Sequence, residues 1–210
     1  SFKNYHPNWS PDGKYVYYSS NENGNHDLYR VDSNGFTTPL KLTDTLSDEV
    51  EPSVSPDGQN IIYTYFFNQT SDIWITSATG SSHVKFISSD ANDSTASYSP
   101  DGKTVVFCSY RDGNPAIWLY DIENSAASKV SNSLNSVQPA WSPDGERIAF
   151  VNVDNQNIYT MKKDGTDVVQ LTKDSLLYGS PCYSPDGKYI AVSGRNMATL
   201  KSTIYLLSAE

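Results

Sequence analysis

The stretch Trp9-Ser10-Pro11-Asp12-Gly13 decides the fold, because its last four residues return at Ser55, Ser99, Ser142 and Ser184. The spacing shrinks evenly, from about 45 to about 42 residues, and a period of 40 to 50 residues marks a solenoid or a propeller. Five copies cover the chain from end to end and leave no room for a linker or a second domain. Within each copy, proline presets the first corner of a turn, aspartate accepts local hydrogen bonds, and glycine supplies the positive φ that closes a tight hairpin. The motif is therefore expected to join two strands.

What surrounds the motif supports β-structure. Each unit has a short entry run, the SPDG turn, a strongly β run, a polar loop, a second β run, another turn and a shorter third run. In the first unit these runs are Asn8 to Ser10, Tyr15 to Ser19, Asp27 to Val31 and Leu40 to Thr43; in the fourth they are Ala140 to Ser142, Arg147 to Val151, Asn157 to Met161 and Val169 to Thr172. The second turn is written Asn34-Gly35, Thr79-Gly80 and Asp164-Gly165. No unit carries the 3.6-residue apolar period of a helix, which excludes two-helix solenoids. Four short antiparallel strands per repeat predict an all-β chain, a β-propeller of five four-stranded blades. Trp9, Val54, Tyr98, Trp141 and Tyr183, each just before the serine, are expected to pack between blades.

Composition agrees. Tyr is abundant at 15 residues, aromatics make up 12%, and charged residues only 19%, a mix that favours strands and turns. The net charge of −9 argues against a nucleic-acid backbone or an anionic membrane surface as partner. No apolar run approaches the roughly 20 residues of a membrane span, so no insertion within this chain is expected. Cys108 and Cys182 are too few for a disulfide framework and lack metal-ligand spacing. They are expected to be free and partly buried.

The pattern P-x-W-S-P-D-G, followed by a β run, an Ile/Leu-Tyr pair and Leu-Thr, resembles the repeats of TolB-like propellers. Such repeats also occur in the propeller domains of prolyl-oligopeptidase-type peptidases. Here it is carried by Pro139 to Phe150 with Ile158-Tyr159 and Leu171-Thr172, and by Pro7 to Tyr18 with Leu28-Tyr29 and Leu42-Thr43. The resemblance implies a location outside the bacterial cytoplasm and a protein or polysaccharide as partner. The ends depart from the pattern, since the fifth unit stops after its third strand, Ile204 to Leu207. Either Ser1 to Lys3 returns to complete that blade, with Asn4 to His6 crossing to the hub, or the five units belong to a larger ring. An unpaired third strand would be an edge open to a second copy, hence to a homodimer.

Function is expected on the loops opposite the SPDG turns. The residue four before each serine varies while its neighbours hold: His6, Glu51, Thr95, Gln138 and Ser180. These five polar groups are expected to converge as a ligand-binding ring, extended by Tyr110, Arg111, Tyr178 and Phe67. Solvated strand-entry residues would read the same way. The crossings Asp44 to Glu51 and Asp90 to Thr95 are acidic, yet neither matches a twelve-residue calcium loop, and no metal or cofactor is expected. His6, His26 and His83 fall in different parts of the repeat, and neither G-x-S-x-G nor H-E-x-x-H occurs. The expectation is a non-catalytic binding module. Its rivals are the substrate-gating propeller of a serine peptidase and a polysaccharide-sensing ectodomain of a membrane-bound regulator.

Overall fold

The computed structural model describes residues 3–131 and 134–209. Among them are 19 strands and no helix. The strands form five antiparallel sheets, the blades of an all-β propeller. The first is β1(Asn4–Trp9), β2(Tyr15–Ser20), β3(Asp27–Asp32) and β4(Leu40–Lys41); the second is β5(Asp48–Val54), β6(Asn60–Phe67), β7(Thr70–Ser77) and β8(His83–Ile87). The third holds β9(Asp93–Tyr98), β10(Thr104–Ser109), β11(Ala116–Asp121) and β12(Ala126–Lys129), and the fourth β13(Ser136–Trp141), β14(Arg147–Asn152), β15(Asn157–Lys162) and β16(Val169–Gln170). The fifth has three strands, β17(Leu177–Tyr183), β18(Tyr189–Asn196) and β19(Lys201–Ser208). The chain divides into two compact units, Ser1–Tyr98 and Ser99–Glu210.

Each SPDG turn is a closed hydrogen-bond circuit, and serine does more in it than the sequence suggests. In the fourth blade Ser142 Oγ donates to Asp144 Oδ1 at 2.5 Å and accepts the Arg147 N–H at 2.8 Å, while Asp144 Oδ1 also accepts the Glu146 N–H at 3.0 Å. The Gly145 N–H returns to the Ser142 carbonyl at 2.9 Å, with φ of 71° at the glycine. The same circuit recurs at Ser10, Ser55, Ser99 and Ser184. Donation by the serine hydroxyl holds all five turn carboxylates below the usual range, Asp12 at about 2. The turns are thus fixed anions at neutral pH.

Apolar side chains, most of them on both faces of the second and third strands of each blade, build the cores. In the first unit Tyr17, Leu28 and Leu42 of one blade close on Val54, Ile61 and Tyr63 of the next. In the second unit Val106, Ile117 and Val130 meet Ile148, Phe150 and Met161, and Ala149 and Ile158 meet Ile190 and Val192. Burying one such side chain contributes roughly 1.5–3 kcal/mol, so each of these clusters stabilises the two consecutive blades it joins.

Three expectations are corrected. The inner strands begin well before the entry runs read from sequence, so Asn4 to His6 is part of β1 and not a crossing. Lys3 belongs to the first hairpin, where its carbonyl accepts the Asn21 N–H at 3.3 Å; Ser1 and Phe2 lie outside the described residues, as do Asn132 and Ser133 between the third and fourth blades. Trp9 is 60% exposed instead of packed. Cys108 is buried and Cys182 exposed, both as free thiols.

Candidate functional site

The position four before each SPDG serine has a backbone that sequence did not predict. Strand register slips there in β1, β5, β13 and β17, between Tyr5 and Asn8, Val50 and Ser53, Val137 and Ala140, and Gly179 and Cys182. The residue at the slip takes a left-handed φ in all five blades: 52° at His6, 58° at Glu51, 52° at Thr95, 53° at Gln138 and 51° at Ser180. A bulge of this kind re-aims a side chain. Left-handed φ at a residue other than glycine costs on the order of 1–3 kcal/mol and persists where the surroundings over-determine it.

What over-determines it is visible in two junctions. Glu51 Oε2 accepts from Thr64 Oγ1 at 2.8 Å and from the Thr95 N–H of the following blade at 3.0 Å. Gln138 Oε1 accepts the Ser180 N–H of its following blade at 2.8 Å. The side chain at one bulge therefore satisfies the backbone at the next. His6 is exposed, with Nδ1 3.3 Å from Ser19 Oγ, and Ser180 is exposed as well. Glu51, Thr95 and Gln138 are half-buried.

The other candidates are placed differently. Tyr110 is 42% exposed and Phe67 53%. The Arg111 guanidinium lies over the rings of Phe107 and Trp118, 5.2 and 5.3 Å from their centroids, a stacking that fixes its loop. Tyr178 is buried among Ile190, Val192 and Tyr205. Its hydroxyl donates to Asp174 Oδ2 at 2.8 Å, and burial pushes its pKa to about 12. It supports the loop end of the fifth blade from within.

Sequence reasoning did not single out a feature at the same end of the first unit. Asp27, at the start of β3, and Glu49, two residues before the bulge of β5, are both fully buried. Lys41 Nζ reaches Asp27 Oδ2 at 3.0 Å, and Thr45 Oγ1 donates to Glu49 Oε1. Burial, with the Asp27 charge adding to it, raises the Glu49 pKa to about 7; burial also raises Asp27. The signal lies in the position six before the serine, which reads Asn4, Glu49, Asp93, Ser136 and Tyr178 and is polar in every copy.

The histidines pair locally: His26 Nδ1 with Asp48 at 3.1 Å, and His83 Nδ1 with the Tyr63 hydroxyl at 3.4 Å. Among the described residues no three His, Cys, Asp or Glu side chains gather as a metal site. Among them, too, no helix is long and apolar enough to cross a membrane.

A family model described as the TolB beta propeller domain matches residues 52–209. The Tol-Pal system protein TolB of Francisella tularensis subsp. tularensis (strain WY96-3418) is 28% identical over 203 residues, which cover 90% of this chain and 45% of that protein. A crystal structure of TolB from Acinetobacter baumannii superimposes with a TM-score of 0.79 at 26% identity, covering 98% of this chain and 54% of that one. A Mycobacterium tuberculosis puromycin-hydrolyzing peptidase gives 0.77 at 12% identity, covering 99% and 35%, a likeness of fold alone. The chain spans about half the length of these two TolB proteins.

Proposed function

The chain belongs to the TolB beta-propeller domain family, and from that premise we propose that it is a non-catalytic, extracytoplasmic module that binds a protein at the bulge end of its blades. One observation carries the reading. The same strained bulge recurs five times with a different polar side chain each time, so the scaffold is constant while the chemistry it presents is not. A rigid strand that re-aims variable side chains beside long loops is the arrangement binding proteins use. The relative's designation as a Tol-Pal system protein favours a protein partner over a polysaccharide, and the Pal protein of this chain's own organism is the candidate to try first.

The test must separate binding from folding, since Glu51 and Gln138 also satisfy the next blade's backbone. His6 and Tyr110 are exposed and suited to it. Calorimetric titration with the Pal protein should give saturable binding that weakens at least tenfold in His6→Ala or Tyr110→Ala, with melting temperatures near that of the parent. Saturable binding to polysaccharide together with none to protein would overturn the choice of partner. Unchanged affinity in both variants would remove the bulge end as the site.

The peptidase reading rests on the fold likeness at 12% identity and lacks a further observation. A polysaccharide sensor and a homodimer through β19 are kept as outcomes of the titration and of a sedimentation measurement.

A further inference from the structure

The hairpin of β6 and β7 is longer than those of the first, third and fourth blades. Their paired strands, β2 with β3, β10 with β11 and β14 with β15, hold six residues each, whereas β6 and β7 hold eight. All four hairpins begin two residues after the SPDG glycine, so the surplus lies at the far end, beside the bulge. It adds about 7 Å to the hairpin. There Phe66 pairs with Ser71 and Phe67 with Thr70, around a two-residue loop in which Asn68 and Gln69 take φ of 49° and 68°. Left-handed backbone at both loop positions matches the twist of the flanking strands, so the tip continues the sheet. Thr70 Oγ1 donates to the Phe67 carbonyl at 2.7 Å, and Asn92 Oδ1 accepts the Ser71 N–H at 3.0 Å. The tip is therefore held in place, with Phe66 42% and Phe67 53% exposed.

A third apolar side chain lies beside it. Asp48 pairs with Phe66, so residues 44–47 run past the base of the tip. Asn25 Nδ2 donates to the carbonyls of Thr45 and Ser47, the Ser47 N–H donates to Thr45 Oγ1 at 3.0 Å, and Ser47 Oγ donates to the Tyr65 hydroxyl at 3.0 Å. Both neighbours of Leu46 are tied down, yet Leu46 itself is 99% exposed. Side chains carried on a fixed backbone lose little freedom when a partner covers them. The charge around them has one sign. Lys41 bridges Asp27 and Asp44, at 3.0 and 2.5 Å, and Lys85 pairs with Asp72 at 2.8 Å. That leaves the carboxylates of Asp48 and Asp90 open to a partner.

We propose that Leu46, Phe66 and Phe67 form a knob that enters an apolar cleft of the partner protein, a cleft bordered by lysine or arginine. The inference rests on the protein-binding reading above and names the chemistry its partner must carry. Shape selects a cleft, because the tip is convex and pre-formed. Charge selects its border, because Asp48, Asp90 and a net charge of −9 favour a basic surface and repel an acidic one. A sugar ring could stack on a phenylalanine face but would gain nothing from Leu46. Large exposed apolar side chains gathered in one place, with polar groups at their rim, mark an interaction site.

Photochemical cross-linking tests this in cells of the chain's own organism that make the full-length protein. Phe67, Tyr110 or Phe36 is replaced by p-benzoylphenylalanine in separate strains, and the peptides joined on irradiation are identified by mass spectrometry. Phe36, 92% exposed in the second turn of the first blade, is the control for exposure alone. The probe at position 67 should join one partner protein, through a peptide in which apolar residues adjoin Lys or Arg, and the probe at position 36 should not. Leu46→Ser and Asp90→Lys should each lower the yield at position 67 about tenfold, with melting temperatures near that of the parent. An adduct at 110 with none at 67 overturns the knob and leaves the protein-binding reading standing. No adduct at either position overturns both. The knob is overturned as well by an adduct to a second copy of this chain, by a partner peptide without basic residues, or by yields that neither substitution changes.

Discussion

Glu49 shows how one buried carboxyl can set the pH response of a blade junction. Its folded pKa, about 7, lies above the ordinary glutamate value of 4.5 because burial, together with Asp27, opposes its charge. The folded state therefore holds the proton more tightly than the unfolded chain. The stability this confers is complete below about pH 4.5 and is lost as pH rises through 7. The span of the shift sets an upper bound on the order of 3 kcal/mol. In Glu49→Gln the amide keeps an acceptor for the Thr45 hydroxyl and offers Asp27 a donor. Urea unfolding should then show the variant more stable than the parent at pH 8 and little different at pH 5. Parallel pH profiles for the two proteins would show that Glu49 does not titrate in this range.

At the scale of single elements the turns are legible in the sequence and the bulges are not, and the difference is chemical. Proline and glycine name their own dihedrals, so Pro11, Asp12 and Gly13 announce a hairpin by residue type alone. The bulge places His6, Glu51, Thr95, Gln138 and Ser180 in the left-handed region, and no glycine marks it. At Thr95 and Ser180 its N–H is taken by a side-chain acceptor of the preceding blade, Glu51 and Gln138, which one repeat read alone does not contain. Trp9, 60% exposed, illustrates the same limit, since whether an aromatic is buried depends on packing that its own repeat does not spell out. Two glycines separate local from neighbour effects. Gly13 has φ of 70° and open space around it, so Gly13→Ala should cost about 1 kcal/mol from backbone strain alone. Gly165 has φ of 83° and a carbonyl oxygen 2.2 Å from its Cβ position. Its alanine variant must move backbone as well, and should cost about 3 kcal/mol or more. Equal losses in denaturant midpoint would mean that the second turn does not bear on the preceding blade.

For the whole molecule, a chain of repeats predicts how damage spreads. Where each unit is stabilised mainly by its own strands and its nearest neighbours, a lesion lowers local stability most at its own site and progressively less along the array. Phe150 is a suitable probe. It is fully buried, stacks on Tyr159 with centroids 5.8 Å apart, and packs with Val106, Ile117, Val130, Ile148 and Met161. Phe150→Ala removes that packing and leaves a cavity, at a cost of about 3–5 kcal/mol. Hydrogen exchange in native buffer should accelerate most in β14 and β15, and next in β10, β11 and β18, whose side chains share its clusters or the adjoining one. Amides of β2 and β3, set in the Tyr17–Leu28–Ile61 cluster, should keep most of their protection. If every strand accelerated by the same factor, the five blades would be opening as one cooperative body. The nearest-neighbour account of this fold would then fail.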